Sequence, residues 1–103
     1  MIYSNDNYYE AKIQIRPYNE EVIDFFRRLI ENNSNILIAK ETRIKTGIDF
    51  LVTSQKEAQK ISKQLKKKFG GKITLSRKLF TVHRMTSKRV WRLTVCFRLE
   101  KGL

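Results

Sequence analysis

Lys56, Lys60, Lys63 and Lys67 recur at three- and four-residue steps, the spacing that brings side chains to one face of an α-helix on successive turns. A row of ammonium groups at about 5 to 6 Å steps matches the phosphates along a nucleic-acid strand, and each contact releases counterions. Lys66 and Lys68 flank the row. Further cations follow: Arg77 and Lys78, then Arg84, Lys88 and Arg89 about a turn, then Arg92 and Arg98 in one phase of the last strand. The chemistry on offer is charge pairing with a polyanion, and bond-making chemistry has no comparable support. His83 is the sole histidine, and no serine, cysteine or carboxylate is spaced with it to form a triad or a metal site. Cys96 is the sole cysteine, which rules out an intramolecular disulfide and a cysteine-based zinc site and fits a reducing cytosol. The chain is therefore expected to be non-enzymatic, without cofactor or metal, and cytoplasmic.

The charge is lopsided. Of 103 residues, 22 are Lys or Arg and 10 are Asp or Glu, for a formal net charge of +12. Residues 1–35 are net −2 and residues 36–103 net +14, more than solubility requires. Such a field points to nucleic acid ahead of an anionic membrane surface. A hydrophobic share of 41%, with 11% aromatic residues, supplies one packed core, and the length suits one domain. Residues 1–7 read as a flexible arm and 8–103 as a single domain. No apolar run has membrane-spanning length, and residues 1–12 do not have the pattern of a signal peptide.

The lysine row needs a helix, and the sequence supplies its ends. Ser54 stands three residues before Glu57, a capping-box spacing in which Ser54 Oγ accepts from the Glu57 amide and the Glu57 carboxylate reaches back to the Ser54 amide. Gly70-Gly71 closes the helix, and Ala58, Ile61, Leu65 and Phe69 form its apolar stripe opposite the lysines. Ile48, Phe50 and Val52 alternate as a half-buried strand just before it. Upstream, Tyr9, Ala11, Ile13 and Ile15 alternate with polar residues as another strand, stopped at Pro17. A helix capped by Asn19 follows, with Glu20 and Glu21 in its first turn and Val22, Ile23, Phe26, Leu29 and Ile30 buried. Ile36 to Ala39 is a short apolar run of the kind found in central strands, joined to the next strand by a hairpin at 43–46. Residues 72–84 form a long strand whose apolar phase slips near Leu79-Phe80, as a bulge would cause. After a loop at 85–88, Trp91, Leu93, Val95, Phe97 and Leu99 face inward on the last strand. The order βαββαββ gives an α+β two-layer sandwich, ferredoxin-like or a near relative, with a mainly antiparallel sheet and two helices on one face.

At residue level, Gly47-Ile48-Asp49-Phe50, then Thr53-Ser54, the lysine-rich helix, Ser76-Arg77-Lys78-Leu79 and Val90-Trp91-Arg92-Leu93-Thr94-Val95 resemble the middle domain of the archaeal and eukaryotic large-subunit export-adaptor family, named after nonsense-mediated decay protein three. The resemblance spans 8–99 and is best over 46–95. It implies binding to the large ribosomal subunit, in ribosome biogenesis or an export-adaptor-like role. The paired Cys-x-x-Cys zinc modules of that family are absent from this sequence, so zinc binding does not carry over.

The reading is a basic domain that meets large-subunit rRNA through phosphate and shape contacts, with ribosomal proteins as candidate further partners. Its RNA-facing residues are Lys56, Lys60, Lys63, Lys66, Lys67, Arg77, Lys78, Arg84, Lys88, Arg89, Arg92 and Arg98. The bland counterpart is a solvated lysine face. An RNA-recognition motif is disfavoured because Asp49, Leu51 and Thr53 stand where stacking aromatics would be required. The alternative from another class is a protein-interaction module that adds a partner's strand to an exposed edge or hairpin.

Overall fold

Alternating and helical periodicities resolve into seven elements in a computed structural model, which describes residues 9–83 and 88–99 and, among these, the side chains of 9–78 and 92–99. They run β1 (Ala11–Arg16), α1 (Glu20–Glu31), β2 (Ile38–Ile44), β3 (Gly47–Val52), α2 (Gln55–Phe69), β4 (Lys72–His83) and β5 (Lys88–Arg98). The sheet order is β2-β3-β1-β5-β4. This is the expected α+β sandwich with a mostly antiparallel sheet, and the exception is the parallel pairing of β1 with β5. Relative to a four-stranded ferredoxin-like sheet, β5 is wedged between β1 and the strand that follows the second helix. That strand, β4, remains at the edge but no longer neighbours β1.

The buried set is the inward phase of every central strand: Ala11, Ile13 and Ile15 on β1, Ile48, Phe50 and Val52 on β3, and Leu93, Val95 and Phe97 on β5. Both helices lay their stripes on it, through Val22, Ile23, Phe26 and Ile30 from α1 and Ala58, Ile61 and Leu65 from α2. The rings of Phe26 and Phe50 meet at 4.4 Å between centroids, and such a pair adds about 0.5–1.5 kcal/mol beyond its burial. The opposite sheet face carries the polar phase and, among the described residues, no helix.

Three expectations need correction. The run Ile36–Ala39 does not make a central strand: β2 begins at Ile38 and lies at the sheet edge, and its register shifts between Ile38 and Lys40. Ile36 and Ile38 are buried all the same, as members of the single core cluster. The Glu57 carboxylate does not close a capping box, since it accepts from Asn33 Nδ2 at 2.8 Å. The β2–β3 hairpin turns on Lys45-Thr46 alone, with Ile44 and Gly47 still paired. The bulge in β4 falls between Leu79 and Thr81, where the slipped phase placed it. Residues 1–8, 84–87 and 100–103 lie outside the described residues, and so do the side chains of His83 and Trp91. No described helix is long and apolar enough to cross a membrane.

Candidate nucleic-acid interface

Helix α2 is built to present lysines. Ser54 Oγ accepts from the Glu57 amide at 3.3 Å, Glu10 Oε1 accepts from the Gln55 amide at 3.0 Å, and the Gly70 amide donates to Lys66 O at 2.8 Å. Two donors orphaned at the N-terminus are thereby satisfied by side chains, one of them from β1's approach. With the apolar stripe seated on the sheet, Lys56, Lys60, Lys63, Lys66 and Lys67 are all exposed. Gln55, Lys56, Gln59, Lys60 and Lys63 together line a shallow depression along the first turns. Lys60 stands 3.5 Å from Glu57 Oε2, with its side chain 61% exposed, a surface pair of small worth. Among the described residues, no carboxylate comes within ion-pair distance of Lys56, Lys63, Lys66 or Lys67. Lys68 is used differently: its ammonium sits 4.9 Å from the Phe25 ring centre and 5.8 Å from that of Phe69, over an edge-to-face ring pair that ties α1 to α2.

Glu57 titrates below its ordinary value. The hydrogen bond from Asn33 is the main cause, and the Lys60 and Lys56 charges assist against the opposing effect of burial. The carboxylate therefore stays ionised beneath the lysine row and links the end of α1 to the start of α2.

The remaining expected residues do not gather on this face. In β4, Arg77 is opposite Leu93 and Lys78 opposite Arg92. Directly paired residues share a side of the sheet, so exposed Arg77 lies on the helical side and exposed Lys78 on the open side. Arg98 is exposed on the open side, paired with Lys72 on β4 and Arg16 on β1. Arg92 is half-buried, its Nε donating to Tyr9 O at 3.2 Å and its guanidinium 3.8 Å over the Tyr9 ring, so it anchors the approach to β1. Lys88 and Arg89 begin β5, opposite His83 and Val82, with side chains outside the described set, and Arg84 lies wholly outside it. The structure thus splits those expected cations whose side chains are described between two opposite faces.

Several cations were not singled out by sequence. Lys12 and Lys72 fall on the open face, and the alternation of Lys12, Gln14 and Arg16 with buried neighbours was the signal for the first. Arg16 also reaches that face but is consumed locally: its Nη1 donates to Ile15 O and Ile48 O at 3.1 Å each, and its Nη2 meets Asp49 Oδ1 at 2.6 Å. Arg27 pairs with Glu41 at 2.6 Å, and Arg43 lies 3.4 Å over the Tyr18 ring. No sequence spacing announces these pairs, since each joins separate elements. Among the described residues, no group of three or more His, Cys, Asp or Glu side chains is placed to hold a metal.

Residues 8–99 match the family described as NMD3, second domain. No curated protein matches the chain.

Proposed function

The chain belongs to the NMD3 family through that second domain, and from this membership we propose that it is a non-enzymatic basic domain that docks on the large ribosomal subunit by binding rRNA phosphates. The family is associated with ribosomal-subunit export, which supports a role in subunit biogenesis or export. The observation that carries the RNA contact is the row of exposed lysines on α2, held by a capped helix whose apolar side is fully engaged elsewhere. A row that the fold does not need, and that no described carboxylate neutralises apart from Lys60, is suited to an external anion. Contact of this kind reads phosphates and helical shape more than sequence. The rival docking mode, strand addition, is poorly served at the β2 edge, where the register with β3 shifts between Ile38 and Lys40 and a lysine on an edge strand discourages further pairing.

With about four to six phosphates neutralised, the logarithm of affinity should fall with the logarithm of salt at a slope of about −3 to −5. Replacing Lys56, Lys60, Lys63 and Lys67 with Gln keeps helix propensity and removes the charge. Binding to structured RNA should weaken alike at all sequences, with the slope shallower by about two to four. Circular dichroism should show the fold intact. An unchanged slope in the quadruple variant would mean that the ridge is merely solvated.

A further inference from the structure

The open face of β4–β5 has its own order. Lys72 stands directly opposite Arg98 and Lys78 directly opposite Arg92, with Thr74–Cys96 and Ser76–Thr94 between them. Lys72 and Lys78 are six residues apart on one strand, roughly 20 Å at strand rise. Hydroxyl donors lie between two like-charged pairs. Lys72, Thr74, Ser76, Lys78 and Arg98 are exposed, and no Asp or Glu occurs from Lys72 to Leu99. Two acids stand nearby: Asp49 is held by Arg16 at 2.6 Å, and Glu10, just before β1, accepts from the Gln55 amide at 3.0 Å. Like charges placed directly across a ladder weaken a sheet, so the exposed cations Lys72, Lys78 and Arg98 are not placed for the fold's benefit, whereas Arg92 is tied to Tyr9. Lysine, arginine and hydroxyl side chains in one lane are the groups that contact phosphate and sugar oxygens.

This lane cannot join the α2 ridge in one site. A sheet and a helix separate them, on the order of 20 Å at about 10 Å per layer, well beyond a Debye length of about 8 Å. The molecule measures 52 × 28 × 25 Å, and a stiff duplex lying along one of its sides does not bend round to the other. We propose that the domain is a two-sided RNA bridge: the α2 ridge holds one RNA segment, and the open face of β4–β5, through Lys72, Lys78 and Arg98 with Thr74 and Ser76, holds a second. The first half rests on the function proposed above, and the second half stands on the β4–β5 pairing.

The test mixes the intact protein with two RNA hairpins, one carrying a donor and one an acceptor fluorophore, at low salt. Native mass spectrometry of the same mixture counts hairpins per chain. One chain should carry two hairpins, and energy transfer should rise and then fall as protein exceeds RNA. The variant with Lys72→Gln, Lys78→Gln and Arg98→Gln should keep one hairpin and lose the transfer, and the α2 quadruple variant should do the same. Transfer confined to species with two chains, or two hairpins retained by the open-face variant, overturns the bridge. If wild type and the open-face variant both stop at one hairpin and the quadruple variant binds none, the α2 contact stands and the bridge alone falls. If the quadruple variant keeps both hairpins, the ridge is not an RNA contact, and both readings fall.

Discussion

Glu57 Oε1 accepts from Asn33 Nδ2 at 2.8 Å, and its Oε2 faces Lys60 at 3.5 Å, so a residue whose spacing marks a helix start has a second, tertiary task. The spacing from Ser54 identified the cap correctly, because the amide-to-hydroxyl bond is local and needs only those two residues. It could not reveal Asn33, because 24 residues separate it from Glu57 and asparagine after a helix reads as a stop signal. The same limit applies to Arg16: its place on a wet face was legible, whereas its engagement of Asp49 on β3 was not. The Asn33 contact has a titration consequence. The folded state holds the Glu57 anion more tightly than the unfolded chain does. Its contribution to stability is therefore present above the ordinary carboxylate range and is lost as pH falls through the depressed midpoint. Carbon-detected NMR of the glutamate side chains should show Glu57 titrating below the ordinary glutamate value, and Asn33→Ala should move that midpoint upward. An unmoved midpoint would transfer the shift to Lys60 and Lys56.

At the scale of elements, α2 ends where the glycines stand because the backbone there takes values that side chains resist: φ is 76° at Gly70 and 81° at Gly71. The two positions differ in their surroundings. A Cβ on Gly70 would meet nothing within 4 Å, whereas one on Gly71 would stand 2.6 Å from Arg98 O and 3.2 Å from the Phe97 ring. Gly71→Ala thus pays left-handed strain of about 1–2 kcal/mol and must also push β5 away from the start of β4. In thermal melts Gly71→Ala should lower Tm clearly more than Gly70→Ala does, and equal losses would show that strain alone governs the junction. Ser54→Ala should cost about 1 kcal/mol through the lost cap. These junctions were legible because caps and glycines act within a few residues. Strand order was not. A period-two pattern assigns faces and says nothing about neighbours, so the parallel alignment of β5 beside β1 and the exile of β2 and β4 to the edges appear only when the long-range ladder is known. The division of the cations between two faces follows from that ladder. Arg77 and Lys78 are adjacent in sequence, and only the Leu93 and Arg92 opposite them show which side each one faces.

For the whole molecule, a net charge of +12 is a self-repulsion that the fold tolerates and does not use. Part of it sits where cations face one another across the ladder, Lys72 opposite Arg98 and Lys78 opposite Arg92, the last of these also held by Tyr9. If those residues served stability, neutralising them would weaken the protein. The pairing geometry requires the reverse, because relieving like-charge pairs that contribute about 0.2–1 kcal/mol each should strengthen the sheet. The variant with Lys72→Gln, Lys78→Gln and Arg98→Gln is therefore expected to melt higher than wild type at low salt, by roughly 2–6 °C for a gain of about 0.5–1 kcal/mol in a domain of this size. Raising the salt screens the repulsion in wild type, so the gap between the two melting curves should narrow. RNA should act on the wild-type protein as salt does, and more strongly, because an anion bound to the folded state alone stabilises it by mass action. A variant that is more stable when free and gains less from RNA would mark these three cations as kept for a partner at the expense of the fold, and a variant that melts lower at every salt concentration would return them to a structural role.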